Sequence, residues 1–302
     1  MVMTLDPRQA LQPRLIEGVM NKKMEQNLDF LNLFPRVATD ALSVTYFEDT
    51  TNAGADITSG TMGEPAPLGE LGELSQIEVS RISMKYAGME RFGFELRFSE
   101  RQLREPAFID EITRAVDRAA FNMSNKMNSD IITKLEAVSN DITEVDGAAA
   151  WSGASATPVE DILSFVQASE VEGYPYSLNH LFLEHVNYFE LLKYMQGIDI
   201  NWVRNPMDPN AQQLPMVNGV QISKVFSTQL AHASYIGLDD RYPAMTIYEY
   251  LDPKHSSIDG GMVNVNKYTE EKHPYNIVVE MYAERGLALK VPNAVSYKAA
   301  NI

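Results

Sequence analysis

The sequence contains no cysteine. This absence excludes disulfide bonds, thiolate metal sites and cysteine nucleophiles, and it is compatible with a reducing compartment. No apolar run approaches the roughly 20 residues that a membrane-spanning helix needs. The first residues, Met1–Asp6, also lack the basic start and apolar stretch of a signal peptide. We therefore expect a chain without sulfur chemistry, without a membrane span and with no secretion signal.

Basic residues are scarce, with 25 Lys and Arg against 41 Asp and Glu and a formal net charge of -16. A chain this acidic does not coat nucleic acid through bulk charge, and the simplest role of the charge is solubility. Residues 41–80 contain no Lys or Arg at all, and they are rich in Gly, Pro and acidic side chains. They have too few large apolar residues for a core. We expect two strands flanking a tip whose order depends on a partner.

Motifs for catalysis and cofactor binding are missing as well. There is no phosphate-binding loop, no dinucleotide-binding glycine motif after a strand and no serine nucleophile elbow. The most plausible metal cluster, His180 to His185 with Glu184, has its histidines five positions apart, which does not fit zincin spacing. We interpret these histidines as surface or turn residues. The others have no nearby ligand partners in the sequence: His232, His255 and His273. We predict no catalytic, cofactor-binding or metal-binding residue, and thus no enzyme.

The strongest local pattern runs from Phe92 to Val138. Apolar residues at every second position up to Phe98 predict a strand. Ser99 and Gln102 form a capping-box pattern, and Pro106 fits the first turn of a longer helix. An apolar stripe then recurs every three or four residues: Phe108, Ile112, Val116, Ala119, Met123, Met127, Ile131 and Leu135. A helix unbroken to Val138 would be roughly 50 Å long.

Five arginines surround the start of this helix, against the acidic balance of the chain: Arg97, Arg101, Arg104, Arg114 and Arg118. One interpretation is pairing within the helix, Glu100 with Arg104 and Asp110 with Arg114, at about 0.2–0.5 kcal/mol each. The other is that the arginines receive an acidic segment, such as residues 41–80 of a neighbouring copy. The sequence leaves both open.

The rest of the chain carries weaker signals. A partial apolar stripe through Leu11, Leu15, Val19 and Met20 predicts an N-terminal helix, and the sequence leaves open whether this helix packs on a partner or on its own chain. Thr157–Glu160 resembles a helix start with Thr as the cap and Pro in the first turn, followed by an apolar face at Val159, Ile162, Leu163 and Val166. Asn218-Gly219 between apolar residues predicts a type I′ hairpin. Further segments are predicted as follows: a strand over 176–182, a helix over 187–195 with Phe189, Leu192 and Met195 inward, and strands over 234–238, 244–250 and 276–290.

Taken in order, these elements resemble the major capsid protein of tailed double-stranded DNA viruses, the HK97-type shell fold. The resemblance is carried by Arg97–Phe108, the helix to Val138, the strand pair at Val217–Ile222 and the segment Gly286–Ala294. It implies an α+β fold with five segments: an N-terminal arm over 1–40, an extended loop (the E-loop) over 41–98, the spine helix of a peripheral domain over 99–149, an axial domain over 150–265, and strands returning to the peripheral domain over 266–302.

The resemblance implies a structural role in which many copies, as pentamers and hexamers, close an icosahedral shell around double-stranded DNA. Partners would be further copies, a portal, and separate scaffolding or decoration proteins. The DNA would be enclosed without sequence-specific binding, and the chain would be assembled in the host cytoplasm and located in the virion. An encapsulin-like shell around a cargo enzyme is the alternative, and an enzyme without a recognisable motif is a third. Some relatives cross-link a lysine of the E-loop. We expect none here, because no lysine lies between Val37 and Ser80 and Lys85 is the nearest one.

Overall fold

The computed structural model describes residues 11–27, 30, 33–49, 82–99, 101–105, 108–137, 151, 157–170, 176–195, 202–203, 214–225, 230, 234–250, 263–269 and 276–298. The chain divides into two compact units. Unit 1 comprises Met1–Thr45, Tyr86–Ile131 and Thr246–Ala288. Unit 2 comprises Tyr46–Lys85, Ile132–Met245 and Leu289–Ile302. The five segments that the family resemblance implies are not tested by this division and stay a prediction.

The helices and strands follow one another in this order: α1 Pro13–Asn27, β1 Arg36–Thr39, β2 Ser43–Asp49, β3 Ile82–Gly88, β4 Glu90–Ser99, a 3₁₀ turn Gln102–Arg104, α2 Phe108–Glu136, α3 Pro158–Ser169, β5 His180–Glu184, α4 His185–Met195, β6 Trp202–Val203, β7 Leu214–Val217, β8 Val220–Val225, β9 Tyr235–Leu238, β10 Met245–Tyr250, β11 Asn264–Thr269, β12 Asn276–Leu289, a 3₁₀ turn Pro292–Ala294 and β13 Val295–Lys298.

Unit 1 is built on a five-stranded sheet in which β12 is the central strand. The order is β1-β10-β12-β11, and β4 pairs with β12 as well. Strand β1 runs parallel to β10, whereas β4 and β11 run antiparallel to β12. The ten-residue pairing of β4 with β12 fixes where β4 ends, and therefore where the long helix α2 begins.

The long helix predicted after β4 is confirmed. It spans 29 residues, about 43 Å at ~1.5 Å per residue, and ends at Glu136. Seven of the eight predicted stripe positions are buried, from Ile112 to Leu135. The eighth, Phe108, is half-buried and meets Phe98 of β4 edge to face, with ring centroids 5.8 Å apart. Pro106 lies outside the described residues, as do residues 50–81.

Helix α1 exists as predicted. Leu15 is half exposed, whereas Ile16, Met20 and Met24 are buried. Asn128 of α2 donates its side-chain amide to the backbone carbonyl of Asn27 at the end of α1, at 3.1 Å. This bond satisfies one of the carbonyls that a helix C-terminus leaves without a partner.

Unit 2 is built on a six-stranded sheet in the order β13-β9-β5-β8-β7-β6. Strand β5 lies parallel to β8 and antiparallel to β9, and all its residues are buried. The Asn-Gly hairpin is confirmed, since Asn218 has φ 48° and Gly219 φ 90° between β7 and β8, as a type I′ turn requires. Gly237 in β9 is tightly enclosed, because an added Cβ would lie 2.4 Å from Leu178 Cδ1.

Helices α3 and α4 supply part of the core of unit 2, and the predicted residues Val159, Val166 and Leu192 pack against it. Ile162 and Phe165 of α3 are buried, while Leu163 and Val166 are only half-buried, and Thr157 makes no side-chain cap bond. In α4, Tyr188 and Leu191 are buried with Met195, but Phe189 is half exposed. Steps of three and four residues fit more than one helical phase, and tertiary packing selected the phase that sequence spacing left open.

Candidate assembly surfaces

Strands β2 and β3 form a two-stranded ribbon, here called the hairpin ribbon, that exposes large apolar side chains. Phe47, Met84 and Tyr86 are 63%, 55% and 67% exposed, and Leu42 at its base is 68% exposed. The two strands form a sheet of their own within the described part of the chain. Exposed apolar residues clustered in this way are typical of an interaction surface, and a ribbon of two strands has little stability by itself.

The two faces of the hairpin ribbon have different chemistry. Alternation along β2 and β3 places Phe47, Met84 and Tyr86 on one face. The other face carries Glu48 and Lys85, which form an ion pair at 3.8 Å, and Tyr46, which is buried. Burial, followed by the neighbouring Glu48 carboxylate, raises the pKa of Tyr46. The apolar face is therefore the one directed into solvent.

The predicted capping box between β4 and α2 is confirmed. The Ser99 backbone N–H donates to Gln102 Oε1 at 2.9 Å, and the Gln102 N–H donates to Ser99 Oγ at 3.3 Å. The turn that it caps is a short 3₁₀ helix rather than the start of α2. Leu103 in this turn is buried, which holds the turn in place between two exposed arginines, Arg101 and Arg104.

The structure tests one of the two predicted pairs within the helix. All five arginines are exposed. Asp110 and Arg114 are both described, and no ion pair forms between them, so the predicted pairing within α2 is wrong at this position. Arg97 does pair, with Glu95. Glu100 lies outside the described residues, so its pairing with Arg104 stays a prediction.

A buried charge cluster in unit 1 was not predicted from the sequence. Glu249 of β10 lies between Arg36 of β1 at 3.6 Å and Arg285 of β12 at 3.4 Å. Burial lowers the pKa of Arg285 to about 10, the nearby Glu249 carboxylate opposes this shift, and Arg36 adds to it. Alternation along β12 could have revealed the buried arginine, because Arg285 lies on the same face of the strand as the buried residues Met281 and Ala283.

The histidine cluster around β5 is structural and does not form a metal-binding geometry. His180 is buried, so its assignment to the surface was wrong, and its Nε2 lies 3.0 Å from Ser223 Oγ. Burial lowers the pKa of His180 to about 4. The buried Glu184 accepts the backbone N–H groups of Val186 and Asn187 and so caps α4, and its other oxygen lies 2.7 Å from His185 Nδ1.

The described residues contain no group of three or more His, Cys, Asp and Glu side chains able to hold a metal ion. Among the same residues, no helix is long and apolar enough to cross a membrane. His232, His255 and His273 lie outside them. The absence of catalytic and cofactor-binding residues stays a prediction, because neither finding tests it.

Comparison with known proteins gives matches in structure only. No protein-family model and no curated protein sequence matches the chain. The capsid of an empty GTA particle superimposes with a TM-score of 0.56 at 14% identity, over 90% of this chain and 89% of the other. A virus-like particle protein from Pyrococcus furiosus gives 0.55 at 10% identity, over 94% and 97%.

An encapsulin from Synechococcus elongatus, SrpI, gives a TM-score of 0.53 at 10% identity, over 90% of this chain and 86% of the encapsulin. The matches therefore span nearly the whole of each chain. At these identities they establish the fold. The chain has the HK97-type α+β fold that phage capsid proteins and encapsulins share.

Proposed function

We propose that the chain is the major capsid protein of a tailed double-stranded DNA virus. In this proposal its copies assemble as pentamers and hexamers into an icosahedral shell around the genome. The observation that carries the proposal is the hairpin ribbon. Its three apolar side chains, Phe47, Met84 and Tyr86, are each more than half exposed. Burying them against another copy would stabilise the contact by roughly 25 cal/mol per Å² of apolar surface removed from water.

The predicted segments give this proposal its subunit plan. Residues 41–98 form the E-loop, which includes the hairpin ribbon. Residues 99–149 carry the spine helix of the peripheral domain, 150–265 the axial domain and 266–302 the returning strands, after the arm over 1–40. A portal and separate scaffolding or decoration proteins complete the particle. The chain acts as a structural protein of the virion rather than as an enzyme, and it is assembled in the host cytoplasm.

The exposed arginines supply a second contact in this proposal. Arg101, Arg114 and Arg118 have no ion pair within the described part of the chain. Residues 41–80 contain no Lys or Arg and seven acidic residues. Opposite charges in this arrangement guide association and fix the register between two partners. The acidic segment of one copy therefore docks on the arginines of the next.

An encapsulin-like shell around a cargo protein is the second candidate, and it is favoured by one observation. The encapsulin from Synechococcus elongatus matches the chain about as well as the GTA capsid, with TM-scores of 0.53 and 0.56. The two candidates differ in what the shell encloses.

The test is negative-stain imaging of the purified protein, with and without co-expressed neighbouring genes, followed by analysis of the contents. We expect closed, roughly spherical particles. Nuclease-resistant double-stranded DNA inside them supports the capsid, and a co-purified protein in its place supports the encapsulin-like shell. A population that stays monomeric or dimeric under all these conditions contradicts both candidates.

The arginine contact has its own test. We expect Arg114→Glu with Arg118→Glu to lower the particle yield at least about tenfold, since each reversed charge replaces attraction by repulsion. The matched control is Lys134→Glu, a charge reversal at an exposed position of the same helix, which should leave the yield within about twofold. Equal losses in the two variants would remove the arginines from the proposal.

A further inference from the structure

Strand β4 has one edge that the described part of the chain leaves without a neighbouring strand. Its ten residues pair with β12 on one side, and no other described strand pairs with it. Its surface is largely exposed, including Gly93, where exposure means exposed backbone. A long exposed edge presents unpaired N–H and C=O groups and is a template for pairing with another chain.

The orientation of the backbone groups along β4 follows from the hydrogen bond that Ser99 makes. The Ser99 N–H donates to Gln102, so it points away from β12. In an antiparallel pair, the backbone N–H and C=O groups of successive residues point alternately toward the partner strand and away from it. The backbone groups of Arg91, Gly93 and Glu95 therefore point away from β12, like those of Ser99. At Gly93 the two strands approach too closely for any side chain, since an added Cβ would lie 2.1 Å from the Met281 carbonyl oxygen and 2.8 Å from Tyr282 Cβ.

The side chains of this edge carry an unbalanced row of charge. Glu95 lies directly opposite Glu280 of β12, and like charges in that position repel. Arg97 pairs with Glu95, and the Tyr268 hydroxyl donates to Glu280 at 3.1 Å. The row of charged residues across the sheet therefore runs from Glu280 of β12 to Glu95 of β4, whose side chain is still 36% exposed at the free edge. A cation placed next in the row would stabilise both carboxylates.

We propose that two copies of the chain join their sheets by antiparallel pairing of β4 with β4 about a two-fold axis through Gly93. In that register Arg91 of each copy lies opposite Glu95 of the other, so the contact supplies the missing cation twice. Phe92 lies opposite Phe94 on the other face. The surface is self-complementary, as an interface with two-fold symmetry requires.

Other registers fit the same edge less well. Pairing centred on Phe94 places Arg91 opposite Arg97, which is repulsive. Pairing centred on Leu96 extends to Ser99, whose N–H already donates to Gln102. Pairing centred on Gly93 uses Glu90 to Leu96 only and leaves the capping box intact. Arg91 is available for it, because its side chain stays 56% exposed while it contacts Glu284 and the Tyr282 ring.

The proposal deepens the shell function by naming one contact between copies, and it is tested by disulfide trapping in a chain that has no cysteine of its own. In Arg91→Cys with Glu95→Cys, the two thiols on opposite copies face each other. Their Cα atoms are then about 5.5 Å apart, within the range that a disulfide bridges. After mild oxidation we expect covalent dimers on a non-reducing gel, from subunits whose melting temperature shows that they are folded.

Two controls make the trap specific for the register. Arg91→Cys with Arg97→Cys places the thiols on a diagonal of about 7–8 Å and should give no dimer beyond the level of Arg91→Cys alone. Dimers mainly from this control, or no dimers from the first variant, overturn the proposal. If particles assemble but no disulfide-linked dimer forms, the shell function stands and this contact is excluded. If dimers are trapped but no particles ever form, the contact stands and the shell function is contradicted.

Charge exchange provides a readout that does not need a disulfide. Arg91→Glu should weaken association by about tenfold, because it places two carboxylates opposite each other. Adding Glu95→Arg restores opposite charges across the two-fold axis, and we expect association to return to within about threefold of the original. A double variant no better than the single one contradicts the pairing.

Discussion

Strand β5 and the hairpin ribbon reverse the usual placement of polar and apolar side chains. In β5 the polar residues His180 and Glu184 are buried, and each has partners within the same chain. In the ribbon the apolar residues Phe47 and Tyr86 are mostly exposed. Burying polar groups costs free energy unless they are hydrogen-bonded, and exposing large apolar groups costs free energy unless a partner covers them. Strand β5 is completed by its own chain, whereas the ribbon is completed by another copy in the proposed shell.

The largest effect is expected from removing the exposed rings of the hairpin ribbon. Phe47→Ser with Tyr86→Ser removes two exposed rings, each worth about 1.5–3 kcal/mol if it is buried in a contact. We expect the particle yield to fall at least about tenfold, while the melting temperature of the free subunit changes by no more than about 2 °C. Leu15→Ser, at a half-exposed apolar position outside the ribbon, is the control and should leave assembly unchanged. A ribbon variant that assembles normally would contradict the comparison.

The next effect contrasts a buried carboxylate with an exposed one. Glu249→Gln leaves Arg36 and Arg285 without their shared counter-charge, and removing one partner of a buried ion pair costs about 3–5 kcal/mol. Glu48→Gln in the ribbon disrupts an ion pair whose Lys85 is half exposed, and we expect a loss of less than about 1 kcal/mol. Denaturant unfolding measures both variants. Equal losses would show that the Glu249 cluster is solvated.

A third effect is the loss of stability in acid that follows from the buried His180 of β5. Burial holds the pKa of His180 at about 4, below its ordinary 6.5. The unfolded chain therefore takes up a proton first as the pH falls below 6.5. The stabilisation from neutral His180 is complete above that pH and is lost progressively down to about 4. The total is on the order of 3 kcal/mol. In His180→Gln we expect a flatter dependence of unfolding free energy on pH in this window, and an unchanged slope would contradict the assignment.

The smallest effects compare two glycines. Gly237→Ala places a Cβ 2.4 Å from Leu178 Cδ1 and 2.8 Å from Phe165 Cε1, and such overpacking costs about 1–3 kcal/mol. Gly18→Ala meets nothing within 4 Å on α1, and replacing a helix-interior Gly should stabilise the protein by about 0.5–1 kcal/mol. Opposite signs in thermal unfolding are the expected result. A neutral Gly237→Ala would show that β9 relaxes easily.

Much of the fold was predictable because several elements carry strong local signals. The stripe from Ile112 to Leu135, the capping box and the Asn-Gly turn each depend on residues close in the sequence, and all three are confirmed. Helical phase was less predictable. Phe189 was expected inside and is half exposed, because which phase of a helix is buried depends on distant segments.

The candidate surfaces show the same division. The lack of Lys and Arg in residues 41–80 and the cluster of arginines were visible in the sequence, and they indicated an interaction surface. The cluster of Arg36, Glu249 and Arg285 was not visible, because it joins three strands that lie far apart in the sequence. The free edge of β4 depends on the pairing with β12, which no local pattern gives.

The most direct test of the account measures the accessibility of the ribbon's apolar face. Met84→Cys places a single thiol there, in a chain without other cysteines. Its rate of reaction with a water-soluble maleimide is compared between free subunits and purified particles. We predict a rate at least about tenfold lower in the particles, because the face becomes buried against another copy. Equal rates in the two states would contradict the claim that the ribbon is completed by assembly.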